Sequence, residues 1–271
     1  MKNNAVISPT SEVTPPLVKM ENIHKSFGGV TALDGVDFEV GNNEIVGLIG
    51  DNGAGKSTLI KILTGVVRQD EGKIFWKGKG LIKHNVEKSR NIGIETVYQD
   101  RALAEKQSVW KNLFLGREKV YGRTGFIKIA ESKKDTIEML RKMIGFTQKG
   151  LTADLSVSGL SGGEKQGIAI ARALYFEAEL IILDEPTNNL SLSETNKVIN
   201  FCNEIKEHGK SSIFITHSIY HVYAVADKFM ILDRGKVMGT IWKKDITMDK
   251  LIENLEYVAK HGKLIGSYAN V

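Results

Sequence analysis

Apolar and polar positions change their spacing several times along the chain, and each change marks an element. Val36-Asp37-Phe38-Glu39-Val40 alternates, as a half-exposed strand does. Leu17-Val18-Lys19-Met20 is a shorter run of that kind, and Phe27 then precedes the double glycine Gly28-Gly29. Glu44 to Ile49 is a compact apolar run that reads as a buried strand, and Leu59, Ile60, Ile62 and Leu63 follow at helical spacing. Gly72 to Trp76 and Ile92 to Tyr98 predict two more strands, the second leading to Gln99. From about 101 to 158 the pattern is charged and helical, with Ile137, Leu140 and Ile144 as one stripe on a helix from Glu131. A helix from Ser161 carries Ile168, Ala171 and Leu174, and Leu180 to Leu183 is apolar throughout, as parallel strands buried on both faces are. A helix over Ser193 to Lys206 should bury Val198, Phe201, Cys202 and Ile205. Ser212 to Thr216 predicts a further strand, followed by a helix through about Ala226. Phe229 to Leu232 and Val237 to Ile241 read as a closing hairpin, and Met248 to about Lys260 as a last helix.

The loop between the third strand and its helix, Gly50-Asp51-Asn52-Gly53-Ala54-Gly55-Lys56-Ser57-Thr58, matches G-x-x-x-x-G-K-[ST] in the strand-to-helix context that motif requires. Its glycines let the backbone fold around an anion, and its amides with those of the helix start face the phosphates. Lys56 brings a mobile positive charge to the outer phosphates and Ser57 a hydroxyl for Mg2+. The fold class expected is α/β: a phosphate-loop NTPase core with a mixed or parallel sheet flanked by helices. An antiparallel β layer lies at the N-terminal side, and an α-helical insert leads to the helix at Ser161. The expected division is a disordered leader over 1–16, a core over 17–100 and 159–245, a helical subdomain over 101–158, and a C-terminal helix and tail over 246–271.

Bulk properties narrow this little. Of 271 residues, 42% are hydrophobic and 25% charged, an ordinary globular composition. No apolar run approaches the roughly 18 residues of a membrane-spanning helix, and the polar start lacks the apolar segment of a secretory signal. One cysteine, Cys202, cannot form an internal disulfide, which suits a reducing, cytoplasmic compartment. The net charge of +5 is spread out, and its densest patch, Lys73 to Arg90, has few interleaved aromatics. A solvated surface is the better account of it, so no nucleic-acid partner is expected.

Two further stretches carry chemistry. Asp184 and Glu185 stand at the carboxyl end of the apolar strand, the sheet edge where ligands bind in open α/β folds. A polar turn would use such residues too. With a phosphate loop upstream, Asp184 is the expected Mg2+ partner beside Ser57, and Glu185 the group that polarises a water. In Leu160-Ser161-Gly162-Gly163-Glu164, Ser161 and Glu164 form a capping box, which leaves the two glycines unexplained. Glycines in a first helical turn cost up to about 1 kcal/mol each relative to alanine. They make sense where a ligand approaches the positive end of the helix, and a second anion site points to a nucleotide held between two copies.

The succession of phosphate loop, Gln99, Leu160 to Gly163, Asp184-Glu185 and His217 resembles the ATP-binding-cassette (ABC) ATPases over about residues 17 to 242. The resemblance implies ATP and Mg2+ as ligands, with Phe27 stacking on adenine. It also implies Gln99 reaching Mg2+ and the attacking water, Glu185 as the catalytic carboxylate and His217 contacting the γ-phosphate. Ser191 stands where many of these proteins have an aspartate that crosses to the partner subunit. Phe27 to Val36, Gln107 to Glu118 and Gln166 to Ala173 look like the ATPases of bacterial monosaccharide importers of the ribose, xylose and fructose type. The expectation is thus a single-cassette ATPase that pairs with a second copy and works on a transmembrane permease, itself served by a sugar-binding protein. Its place would be the cytoplasmic face of the cell membrane. Rival expectations are an importer of branched-chain amino acids, a soluble cassette of DNA repair or translation, and a phosphate-loop kinase. The last would lack Leu160 to Gly163.

Overall fold

The computed structural model describes residues 14–97, 103–122, 124–143, 152–188 and 190–266. Gln99 and Ile144 lie outside them. Two sheets form. Strands β1 (Val18–Phe27), β2 (Val30–Val40), β4 (Glu71–Trp76) and the two-residue β5 (Lys79–Gly80) make an antiparallel sheet in the order β2-β1-β4-β5. Strands β3 (Ile45–Ile49), β6 (Ile94–Val97), β7 (Leu180–Asp184), β8 (Ser211–Ile215), β9 (Lys228–Asp233) and β10 (Lys236–Trp242) make the second, in the order β10-β9-β3-β8-β7-β6. All neighbours in it are parallel except the β9–β10 hairpin.

Period-2 alternation on the second sheet separates two cores. Val46, Leu48, Ile182, Ile213, Ile215, Met230 and Leu232 face the antiparallel sheet and helix α1 (Lys56–Leu63). Ile45, Ile49, Ile181, Leu183, Phe214 and Ile231 face the opposite way. Over them lie α5 (Gly162–Tyr175), α6 (Leu192–Glu207), α7 (Ile219–Val225) and α8 (Met248–His261). Helix α6 buries Val198, Phe201, Cys202 and Ile205, as its spacing predicts.

Helices α3 (Val109–Phe114) and α4 (Ile129–Met143) build a third cluster, with Leu113, Phe114, Met139 and Leu140 against Ile168 and Ala171 of α5. The opposite side of α5 gives Ala169, Ile170 and Ala173 to the sheet core. One helix thus serves two cores, and its N-terminus is where Ser161 to Gly163 sit.

Three elements run differently from the sequence pattern. β1 and β2 form one long hairpin across Gly28-Gly29, because Phe27 pairs with Val30 and the polar positions continue the ladder. Helix α2 (Val86–Asn91) is too polar and short to show a stripe, and its only buried residue is Ser89. Between α3 and α4, a bridge between Val120 and Ile127 closes a small hairpin where only helix is expected.

Candidate functional site

Three adjacent strand ends define the site. β3, β8 and β7 are parallel neighbours, with Leu48 opposite Ile215 and Ile215 opposite Asp184. Gly50 to Gly55 follow the first, Thr216 and His217 the second, and Glu185 the third. Gln99 belongs to the segment after β6, the next strand out, and is outside the described residues.

The phosphate loop enters α1 through Gly55, whose φ of 106° is left-handed and whose added Cβ would lie 2.7 Å from the Ala32 carbonyl oxygen. Only glycine meets both demands. The loop is tied from outside by Gly235 N, which donates to Ala54 O at 2.9 Å, while Asn52 and Gly53 are exposed. No side chain caps α1 and no acid stands in its first turn. The first amides of a helix have no intrahelical acceptor, so this helix start is open to an anion. Lys56 Nζ donates to Gly50 O at 2.5 Å and Asp51 O at 3.0 Å, folded back over the loop that Ser57 and Thr58 continue into the helix. Burial pulls the Lys56 pKa down, against the raising influence of Glu185, Asp51 and Asp184. The lysine is therefore an electrostatic neighbour of Asp184 and Glu185 as well as of Asp51.

Glu185 has φ 47°, a left-handed conformation unusual outside glycine. The turn is held by Glu185 N donating to Ile215 O at 2.9 Å. It leaves the carboxylate between Thr216 Oγ1, which donates to Oε2 at 3.2 Å, and His217 Nδ1, 3.1 Å from Oε1. The His217 side chain is 71% exposed. Behind it, His221 Nδ1 lies 3.0 Å from Thr187 Oγ1, and its pKa is lowered by burial first and His217 second. Asp184 has its pKa raised, first by burial and then by Glu185, with Lys56 opposing. That is the mark of negative charge not fully compensated, and a divalent cation would relieve it. The donor set of Asp184 carboxylate and Ser57 hydroxyl is hard oxygen, which fits Mg2+.

Ser161 is the N-cap of α5 and makes both bonds of the capping box: Ser161 N donates to Glu164 Oε2 at 2.7 Å, and Glu164 N to Ser161 Oγ at 3.3 Å. Gly163 has a cause inside the chain as well. Its amide donates to Glu194 Oε1 at 2.7 Å, and a Cβ there would lie 2.7 Å from Glu194 Cγ. Phe27, at the end of β1, is 51% exposed, with Lys25 Nζ 5.2 Å from its ring centroid. A free aromatic face is what stacking on a planar base requires.

Sequence reasoning missed two features. The left-handed backbone of Glu185 has no one-dimensional signal. Glu194 had one, because Ser191-x-x-Glu194 is a second capping box, and both of its bonds form at α6.

A family profile described as ABC transporter matches residues 33–188. The xylose/arabinose import ATP-binding protein XylG of Sulfolobus acidocaldarius is 41% identical over 238 residues, 88% of this chain and 92% of that protein. The fructose import ATP-binding protein FrcA of Rhizobium meliloti is 37% identical, over 88% and 92%. The ribose import ATP-binding protein RbsA 3 of Rubrobacter xylanophilus is 36% identical over 88% of this chain but 47% of its own length, so the chain spans about half of that relative. Among solved structures, the ADP conformation of an ATP-binding cassette of an ABC transporter superposes with a TM-score of 0.75 at 25% identity, covering 91% of this chain and 98% of that one. By the extent of both matches, the chain belongs to the ABC transporter family, as one of its ATP-binding cassettes.

Proposed function

We propose that the chain is the ATPase of a sugar importer, most simply a monosaccharide importer, and that it works as a pair of copies closed around two ATP molecules. Each ATP would lie between the phosphate loop of one copy and Ser161 to Gly163 of the other. The observation that carries the enzymatic reading is Glu185. Its backbone is held in a costly conformation, its carboxylate is set between Thr216 and His217, and Lys56 lies within its electrostatic reach. The sugar assignment rests on the relatives, whose names include xylose, arabinose, ribose and fructose import.

Each residue has a definite task in this reading. Phe27 stacks on the base. The open amides of α1, with Gly50 to Gly55, hold the outer phosphates, and Lys56 turns from Gly50 O and Asp51 O to meet them. Glu185 takes the proton of the attacking water, while His217 and Lys56 stabilise charge that grows on the γ-phosphoryl oxygens. Mg2+, held by Ser57, Asp184 and Gln99, would supply further charge neutralisation. Most of the rate gain then comes from positioning and fixed charge.

The pairing has a direct test. With Glu185→Gln to block turnover, ATP should convert the chain to a dimer by light scattering. A strict monomer at high protein concentration and saturating ATP would sink the paired arrangement.

A membrane partner fits the insert between β6 and α5. Among the described residues no helix is long and apolar enough to cross a membrane. Leu115, Val120, Tyr121, Phe126, Ile127 and Ile129 of this insert are nevertheless each exposed, Phe126 at 75%. Tyr121 N donates to Phe126 O at 2.9 Å, so the hairpin presents both aromatics at one end. Such a patch marks an interaction site, and a permease's cytoplasmic segment is its proposed occupant. This would hold the chain at the inner face of the cell membrane. Tyr121→Ser with Phe126→Ser should abolish co-purification with the permease while the free chain's ATPase stays within about twofold, since surface changes away from the site are nearly neutral. Retained co-purification would place the docking surface elsewhere.

A further inference from the structure

One carboxylate serves two helix starts. Glu194 Oε2 accepts from Ser191 N at 3.0 Å and from Ser191 Oγ at 2.9 Å, which caps its own helix α6. Its other oxygen, Oε1, crosses 31 residues of sequence to take the amide of Gly163 in α5. A capping box needs only the first of these. The second is a choice the fold makes, and the two residues pack closely: a Cβ at 163 would lie 2.7 Å from Glu194 Cγ, so a larger residue there would push the Glu194 side chain aside. The Gly163 bond, then the Ser191 bonds, lower the Glu194 pKa to about 2, so the group is an anion at any physiological pH.

The contrast with α1 is informative. At α1 the first turn has no cap and no acid, which leaves its amides to an incoming phosphate. At α5 the amide expected to meet phosphate from a second copy is already donated to an anion of the same chain. A single N–H makes one strong bond at a time, and two anions at one helix start repel. We propose that Glu194 is a stand-in for phosphate at the start of α5, and that the γ-phosphate of the partner copy's ATP must displace it for the pair to close. This rests on the paired arrangement proposed above.

Displacement would be felt at the chain's own catalytic centre. Glu194 is joined through Ser191 to the segment that begins at Glu185, whose carbonyl accepts from Asn188 N at 3.1 Å and whose Thr187 meets His221. Ser191 carries no carboxylate, so the acid of this junction is Glu194. Releasing it from Gly163 removes the tie between Ser191 and the start of α5. The near site thereby registers that the far one is filled.

The test uses the full chain with Glu185→Gln as the parent and Glu194→Gln added. Glutamine keeps the length and an acceptor oxygen but not the charge. The ATP concentration at half-maximal dimer should fall about five- to tenfold, the worth of one charge-assisted bond withdrawn from the competitor. Amide hydrogen exchange supplies the second readout. In nucleotide-free protein, exchange over 160–166 should be faster in the variant, because helix-start amides are otherwise unprotected. In the ATP dimer it should match the parent. Glu194→Asp, which caps Ser191 but falls short of Gly163, guards against a folding defect and should also lower the midpoint. If the parent dimerises and neither variant lowers the midpoint, or if exchange at 160–166 is unchanged, the stand-in is overturned alone. If the parent itself fails to dimerise with ATP, the paired arrangement falls and takes the stand-in with it.

Discussion

Glu185→Gln should lower ATP turnover by about 10²- to 10⁴-fold, the range for loss of a general base, while ATP still binds. The substitution is nearly isosteric. The amide oxygen can accept from Thr216 Oγ1 as Oε2 does at 3.2 Å, so the turn after β7 has no cause to rearrange. Glutamine meets the left-handed backbone at 185 on the same terms as glutamate, because neither is β-branched and φ stays near 47°. What disappears is the ability to take a proton from water. The loss should therefore fall on kcat, with the ATP dissociation constant within a fewfold of the parent. Removing one negative charge beside Asp184 and Lys56 should if anything tighten nucleotide binding, because that charge faces the phosphates. Phosphate release under saturating ATP measures the first quantity and calorimetric titration the second. Hydrolysis within tenfold of the parent would remove Glu185 from the role of base. The same assay separates the importer reading from a soluble cassette of DNA repair or translation: stimulation by nucleic acid would favour that rival, and stimulation by a permease the importer.

The parts of this site that the sequence disclosed are those where chemistry constrains residue type locally. A backbone loop around phosphate demands glycine at fixed places, as at Gly55, and so writes itself into the chain as a motif. Strands buried on both faces must be apolar without interruption, and Leu180 to Leu183 ends where Asp184 and Glu185 must begin. The parallel pairing of β3, β8 and β7 is what turns three separated runs into one edge, and only their order in space joins them. The rest depends on contacts between distant positions. Helix α2 is capped by Asn85, whose side chain accepts from Lys88 N, and has almost no buried side chain to betray it. Gly163 was legible as an unusual glycine but its neighbour was not, since Glu194 is 31 residues away and reads locally as a cap. Ser191 likewise looked like a missing aspartate before it proved to be half of that cap. The sugar-import reading is not written at this site at all. It rests on likeness to relatives, in segments such as Gln107 to Glu118 of the helical insert, and those relatives are named for several different sugars.

Lys56→Met should weaken ATP binding by roughly 10- to 100-fold, as expected for losing charge-assisted hydrogen bonds. Turnover should fall by about 10²- to 10³-fold, the cost of removing one donor aimed at developing charge. The two effects arise from one side chain. Its ammonium holds Gly50 O and Asp51 O in the empty loop, so it is both a clasp on the loop and the cation that phosphate would claim. Methionine matches its reach without the charge. Gly55 and the bond from Gly235 N to Ala54 O keep the loop's backbone in place, so the variant should melt near the parent temperature. Burial already depresses the Lys56 pKa, and the nearby acids hold it up. Deleting the cation should therefore raise the Asp184 pKa further, because Lys56 is the first of the charges opposing that shift. A cation at Asp184 should then be held no less tightly, since one less positive charge repels it, so the Mg2+ requirement of whatever hydrolysis remains should not rise. Paired with Glu185→Gln, the variant divides the reaction in two. Glutamine at 185 should bind ATP, dimerise and stall, whereas methionine at 56 should neither bind well nor dimerise. ATP binding by Lys56→Met at the parent's affinity would mean that backbone amides alone hold the phosphates, and that the lysine serves only the chemical step.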